Sequence, residues 1–476
     1  MNVLAIDQGT SATKALVVSA ERAVLGRAVV PVHPRFLADG GVEQDPEALW
    51  ASVVTAGRAA VAAAGVRLDA VGFANQGETV LQWDRSTGDA LSAAITWQDR
   101  RSLPVCQALA AHAERLTAIT GLPVDPYFAA PKMRWLCDQH PTTGVCTTTD
   151  TWLLHRLTGA FVTDAATASR TLLLDLHTTT WSTDACRAFE FDPTALPAVV
   201  DCAGAIGSTT AFGGDVPVAG LAVDQQAALF GQHCHAAGDA KCTYGTGAFL
   251  LATTGPQPRR SQSGLVASVA WRLDGRSTYC LDGQVYCAGA ALDWLQRLGL
   301  LAAPTELDWI AGSVPHSAGV CFVPALAGHA APFWKPSARG TWTGLGLATE
   351  RGHLVRAFID GLAAQVAWLV RATERDLGTP LVRLRVDGGL AHSQLLVQTQ
   401  ADLLQIPVEV GSSTDATALG VAALARLGMG GALDPAAAVG PWTPAAIFTP
   451  QINADEAAAR LDAWQRAAHA TMELTA

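Results

Sequence analysis

Two short turns carry most of the side chains in this chain that could do chemistry. Asp7-Gln8-Gly9-Thr10-Ser11 sets a carboxylate, backbone N–H groups freed by glycine and two hydroxyls within five residues. Such groups can hydrogen-bond phosphate oxygens, and a carboxylate beside them can help hold Mg²⁺. Taken alone, the same residues read equally well as an Asx-turn in which Asp7 satisfies its own backbone. Thr243-Tyr244-Gly245-Thr246-Gly247 repeats the design. Two phosphate-binding turns facing each other across a cleft suit a nucleoside triphosphate held between two domains. Neither has the G-x-x-x-x-G-K-[ST] spacing of a P-loop. A third turn, Val386-Asp387-Gly388-Gly389, precedes a helical stretch over 393–404, where backbone can approach a flat nucleoside. By itself an Asp-Gly-Gly is an ordinary turn.

The elements around these turns are legible from periodicity. Val3 to Ile6 and Ala15 to Val18 read as strands joined by the first turn, and Ala240 to Thr243 and Ala248 to Leu251 as strands flanking the second. Helical patterns over Pro46 to Ala64, Ser102 to Thr117 and Arg351 to Asp376 alternate with strand-like runs such as Ala70 to Phe73, which predicts α/β layers. The tail from Asp455 to Ala476 is also helical in pattern. A domain boundary is expected between Val218 and Asp239.

The bulk numbers agree with this organisation. A chain of 476 residues exceeds what one core supports, so two domains are expected. The net charge of −10, with scattered lysines and arginines, lacks the footprint of a nucleic-acid binder. The apolar run after Met1 is too short for an export signal, and no segment is expected to span a membrane. Ten cysteines without C-x-x-C spacing predict reduced thiols in a cytoplasm.

An ordered set of motifs then resembles the FGGY carbohydrate kinases. It comprises Ala5-Ile6-Asp7-Gln8-Gly9-Thr10, Ala74-Asn75-Gln76-Gly77-Glu78-Thr79, Trp97-Gln98-Asp99-Arg100-Arg101, Asp224-Gln225-Gln226-Ala227-Ala228-Leu229-Phe230-Gly231, Thr243-Tyr244-Gly245-Thr246-Gly247 and Asp387-Gly388-Gly389. Gly121 to Phe128, Asp150 to Leu154 and Ala168-Ser169-Arg170-Thr171 agree, and within the family the motifs look most like those of the glycerol kinases. The resemblance implies an α/β fold of two ribonuclease H-like, actin-like ATPase domains, over 1–230 and 231–476, with a catalytic cleft between them. It implies ATP and Mg²⁺ as cofactors and a small polyol or sugar as acceptor. No nucleic-acid or membrane partner is expected, and dimers are common among related kinases.

Carried over by position, the resemblance makes Asp224 the general base and Asp7 the metal-placing carboxylate. Thr10, Ser11, Lys14, Gly245, Thr246, Gly389 and Ser393 match nucleotide-binding positions. Glu78, Trp97, Tyr127, Asp224, Gln225 and Tyr286 match acceptor-binding positions. Three departures stand out. Gly77 occupies the place of an arginine that holds glycerol hydroxyls, which removes donors, opens space and brings a longer polyol or ketopentose, as in xylulokinases, into consideration. Phe212-Gly213-Gly214-Asp215-Val216 has no arginine, so inhibition by a sugar bisphosphate is not expected. His329-Ala330 replaces a glycine-containing stretch near the nucleotide. An actin- or chaperone-like ATPase and a silent sugar-binding regulator are the remaining alternatives, disfavoured by the intact acceptor and catalytic sets.

Overall fold

The computed structural model describes residues 1–140, 143–430 and 434–474. Its frame is two twisted sheets of the same plan. The strands of the first are β1 (Val3–Gln8), β2 (Ala12–Val18), β3 (Val24–Pro31), β4 (Ala70–Asn75), β5 (Ala203–Thr209) and β6 (Val216–Val223), in spatial order β5-β6-β4-β1-β2-β3. The second contains β7 (Ala240–Tyr244), β8 (Ala248–Gly255), β9 (Val266–Leu273), β10 (Arg276–Val285), β11 (Leu384–Asp387), β12 (Val408–Gly411) and β13 (Pro444–Phe448), ordered β9-β10-β8-β7-β11-β12-β13. In each half an antiparallel hairpin pairs in parallel with a later strand, β1 with β4 and β7 with β11. That repeated arrangement is the ribonuclease H-like sheet expected from the motifs.

Strand chemistry explains the central position of β1. Val3, Leu4, Ala5 and Ile6 are all fully buried, as a strand covered on both faces requires. Leu4 and Ile6 point into one core with Leu49, Val53 and Ala56 of helix α1 (Pro46–Ala64), while Val3 and Ala5 join the larger core on the other face. Helix α1 has the bounds expected from the sequence. Asp45 caps its first turn by accepting from Glu47 N at 2.9 Å, and Gly65 ends it with φ 62°.

Other expectations are modified. The helical pattern over 102–117 is interrupted into Leu103–Ala108, a 3₁₀ turn at Ala110–His112 and Ala113–Thr120. Within these three pieces only Cys106, Leu116 and Thr120 are buried, so little core contact ties their middle together. The proposed boundary stretch contains all but the start of β6, together with helix α2 (Asp224–Gly231), which leaves only the residues after 231 outside regular structure. Contrary to the expectation that no segment reaches the length of a membrane span, helix α3 (Arg351–Leu377) is long and apolar enough to cross one, but most of it is buried inside the second half as a core helix. Helix α4 (Gln394–Leu404) follows the Asp-Gly-Gly turn, and helix α6 (Ala454–Leu474) covers the expected C-terminal helix except for positions 475–476, which lie outside the described residues.

Helix α5 (Ala416–Gly428) joins the halves. It leaves the second sheet after β12, packs on β1, β4 and β6 of the first, and crosses α2. The crossing is made of two glycines: a Cβ at Gly420 would lie 1.9 Å from Ala227 O, and one at Gly231 would lie 2.2 Å from Ala416 O. Gly420→Ala is therefore expected to force α2 and α5 apart and cost roughly 1–3 kcal/mol or more. Thermal unfolding checks this; an unchanged midpoint would mean that the helices separate without penalty.

Candidate active site

The hairpin tips and the ends of β4, β6 and β11 converge on one cleft between the halves, a cavity of about 280 Å³. Asp7, Thr10, Ser11, Lys14, Glu78, Trp97, Tyr127, Asp224, Gln225, Gly245, Thr246 and Gly389 all line it. Two expected residues lie elsewhere. Tyr286 lines a smaller adjoining cavity with Trp97, Gln98 and Arg100, its ring 6.0 Å from that of Tyr127. Ser393 caps α4, accepting from Leu396 N at 3.1 Å and donating its hydroxyl to Asp308. His329 is buried away from the cleft wall, with its Nδ1 3.3 Å from Gln365 Nε2.

A buried amide network fixes the first tip. Asn75 donates to Gln8 Oε1 at 2.6 Å, Gln76 donates to Gln44 Oε1 at 2.8 Å, and Gln44 donates to the Thr10 carbonyl at 2.8 Å. The Thr10 hydroxyl donates to Gln76 Oε1 and accepts from Trp97 Nε1, both at 2.9 Å. This couples the phosphate-binding tip to the aromatic wall of the acceptor pocket. The second tip is pinned to the following helical turn: the Gly245 carbonyl accepts from Gly289 N, and the Thr246 carbonyl accepts from Ala288 N, each at 2.9 Å. Gly388, with φ 90°, sits so close to β7 that a Cβ there would lie 2.4 Å from Tyr244 O, so the Asp-Gly-Gly turn needs glycine at that position.

Carboxylates crowd the floor. Asp7, next to last in β1, lies opposite Lys14 in the hairpin register. Burial pushes its carboxyl up to about 6; Lys14 opposes this, and Asp415 and Asp387 add to it. Asp224 opens α2, where it accepts from Gln225 N at 2.7 Å. Burial, followed by the charges of Asp7 and Glu78, raises it to about 7. A carboxylate poised there can take a proton from a hydroxyl at neutral pH.

The acceptor wall contains groups with no role assigned from the sequence. Glu78 is held in the left-handed region with φ 56°, just after Gly77, and its Oε1 accepts from Arg170 Nε at 2.6 Å. Arg170 also reaches Asp282 Oδ2 at 2.7 Å and Tyr127 Oη at 3.4 Å, and both carboxylates are buried. Burial raises Glu78 and Asp282, and the guanidinium offsets part of that. Phe249 completes an aromatic wall, its ring 5.9 Å from Trp97, which is 5.9 Å from Tyr127. Lys241, fully buried in β7, donates to Gln225 Oε1 at 2.6 Å and Thr243 Oγ1 at 2.9 Å. The signal for Lys241 and Asp282 was available: a charged residue inside an otherwise apolar strand is costly unless it is paired or functional.

The residues present fit a divalent cation shared with a polyphosphate. Among the described residues no cluster of three or more His, Cys, Asp or Glu forms a ready-made metal cage. Asp7, pushed up to about 6 by burial and by its acidic neighbours, is a carboxylate that a cation would relieve. Mg²⁺ bound by one or two carboxylates, waters and substrate phosphates is the usual arrangement.

Comparisons with known proteins agree with this geometry. Residues 2–231 match the model of the N-terminal domain of the FGGY family of carbohydrate kinases, and residues 240–429 match that of its C-terminal domain. The chain is 43% identical to a glycerol kinase of Alkalilimnicola ehrlichii, over 98% of this chain and 97% of the relative. It is 41% identical to one of Myxococcus xanthus, over 98% of each. It superposes on the crystal structure of Plasmodium falciparum glycerol kinase with ADP at a TM-score of 0.90 and 30% identity, covering 99% of this chain and 98% of that one. A xylulose kinase from Lactobacillus acidophilus shares the fold at a TM-score of 0.89 and 22% identity, covering 100% of this chain and 98% of that one. With both domain models matched in order and the relatives spanning nearly the whole chain, this protein belongs to the FGGY family of carbohydrate kinases, as an ATP-dependent, glycerol kinase-like member.

Proposed function

We propose that this kinase transfers the γ-phosphoryl group of Mg-ATP to a hydroxyl of a small polyol of the glycerol class, with Asp224 as general base. The observation that carries this reading is the Asp224 carboxyl, pushed up to about 7 and sharing one cleft wall with Glu78, Trp97 and Tyr127. Glu78 and Gln225 hold acceptor hydroxyls, and Trp97, Tyr127 and Phe249 line the carbon chain. Asp224 takes the proton as the acceptor oxygen attacks in line. Thr10, Ser11, Lys14, Gly245 and Thr246 orient the phosphates, with Gly389 on the nucleoside side. Asp7 would hold Mg²⁺, which when bound neutralises charge developing between the β- and γ-phosphates. Closure of the halves excludes water and limits wasteful hydrolysis. We place the enzyme in the cytoplasm, a reading supported by its ten free cysteines.

ADP release measured with glycerol, tetritols, pentitols, ketopentoses and dihydroxyacetone tests the proposal. Stimulation by a small polyol is expected; ADP release indifferent to every acceptor would favour a plain ATPase instead.

One observation favours a second reading of the acceptor. Gly77 lies on the cleft wall, and among the described residues beyond its chain neighbours a Cβ there would meet Val223 Cγ2 alone within 4 Å, at 2.9 Å, so the space beside position 77 is open apart from one methyl. A longer acceptor can use that opening. The methyl also bars a side chain at 77 unless Val223 moves. Gly77→Arg alone is expected to impair the enzyme, while Gly77→Arg/Val223→Gly lowers KM for glycerol by roughly 10-fold or more through a charge-assisted hydrogen bond. Additive effects of the two substitutions on kcat/KM would show that the positions are not coupled.

A further inference from the structure

A second cavity, of about 260 Å³, lies outside the catalytic cleft, against the crossing of α2 and α5. Its walls come from both halves of the chain: Arg22 from the β2–β3 turn, Gly231 at the end of α2, Ser412 just after β12, Arg426 from α5, and Trp442 and Thr443 from the stretch leading into β13. Two arginines therefore line one concavity in a protein whose net charge is −10.

Neither guanidinium has a directly paired carboxylate among the described residues. Arg426 is only 8% exposed, and a terminal nitrogen donates to the Ser19 carbonyl at 2.5 Å. Its Nε is buried and has no hydrogen-bond partner among the described residues. Among the described residues neither Arg22 nor Arg426 forms an ion pair; burial and then the charge of Arg22 act against Arg426, and the charge of Glu21 offsets part of this. The Arg22 guanidinium lies flush on Gly440, where a Cβ would approach its Nε to 2.4 Å. The nearby carboxylates are engaged elsewhere. Glu409 accepts from Trp442 Nε1 at 2.6 Å and faces Arg385 at 3.4 Å, and Asp415 pairs with Arg27 at 2.6 Å; Glu21, which accepts from Ser19 Oγ at 3.0 Å, is exposed and makes no ion pair with either arginine among the described residues. Arg385, its charge balanced by Glu409, lies 4.9 Å from the Trp442 ring and donates to the carbonyls of Gln232 and His233, which fixes the wall.

A buried guanidinium without a counter-ion is costly, and a second one facing the same space adds repulsion that a dianion would remove. Guanidinium forks with hydroxyls beside them match the oxygens of a phosphate, and the cavity has room for that group and a few carbons. We propose that this cavity binds the phosphate group of a small phosphate monoester between Arg22 and Arg426. Occupancy there ties the β2–β3 turn of the first half to the β12–β13 region of the second, across the helix crossing on which the halves meet.

Isothermal titration of the full chain tests this, with the catalytic cleft filled by saturating glycerol and a Mg-bound non-hydrolysable ATP analogue. Inorganic phosphate and glycerol 3-phosphate are titrated separately. One saturable event is expected, weakened at least tenfold by Arg22→Gln and abolished by Arg22→Gln/Arg426→Gln. Because Arg22 is exposed and far from the catalytic residues, Arg22→Gln keeps the basal kcat, so a loss of binding in that variant cannot be ascribed to misfolding. Equal affinity for the two probes assigns recognition to the phosphate alone; tighter binding of glycerol 3-phosphate adds a role for the organic part. Absence of a saturable event with both probes, or affinity unchanged in Arg22→Gln, overturns the proposal.

Discussion

Asp224→Asn is expected to lower kcat by roughly 10²–10⁴-fold while changing KM for ATP little. The amide keeps the size of the side chain and its hydrogen bond from Gln225 N, at 2.7 Å in the parent, but cannot take the acceptor proton. The wild-type pH profile should carry the same signature. Asp224 works only when ionised and is pushed up to about 7, so kcat should fall as pH drops below about 7, with a limb shared with Asp7, which titrates near 6. Stability should move the opposite way. A carboxyl whose pKa is higher in the folded state binds its proton more tightly there than in the unfolded chain. Its ionisation therefore costs stability as pH rises from about 4 to about 7. Asp224→Asn removes that cost, and its Tm should exceed that of wild type at pH 8 and match it near pH 4. A mutant retaining wild-type kcat, or one less stable at pH 8, would remove Asp224 from the role of base.

That trade between charge and burial also separates what could be read in the sequence from what could not. The hairpin tips were legible because glycine, hydroxyls and a carboxylate recur in two turns of one design, and α1 because its helical pattern runs from Pro46 to Ala64, with the Asp45 and Gly65 caps seen in the structure. Asp224 was legible through its Asp-Gln-Gln context. Pairings between distant segments were not. Arg170 stands 92 residues from Glu78, and only the folded chain brings it between Glu78 and Asp282. Ser393 matched a nucleotide position, yet its local setting, one residue before α4, makes it a helix cap, with Asp308 arriving from a separate helix. The glycine crossing of α2 and α5 depends on which helices meet, which no local pattern encodes.

Arg170→Met is expected to destabilise the protein by about 3–5 kcal/mol, because it strands two buried carboxylates that shared one guanidinium. Thermal unfolding measures the loss, and its pH dependence identifies the cause. In the mutant, Glu78 and Asp282 lose the one ion-pair partner that each has among the described residues, so stability should recover as pH falls and the two groups take up protons. A loss independent of pH would point to packing against Tyr127 and Phe128 instead, the rings that Arg170 overlies at 5.6 and 5.4 Å. Arg170→Met/Asp282→Asn removes one of the stranded charges and should regain much of the stability. It should not regain acceptor binding, since Glu78 in its left-handed turn would still lack the donor that holds its carboxylate in place. KM for the polyol should therefore stay raised in the double mutant and partly recover in Arg170→Lys, whose ammonium restores charge without the fork. If stability and KM recover together in the double mutant, Arg170 is a structural counter-ion. If they separate, it positions Glu78, and the guanidinium missing at residue 77 has its nearest functional counterpart at the back of the same pocket.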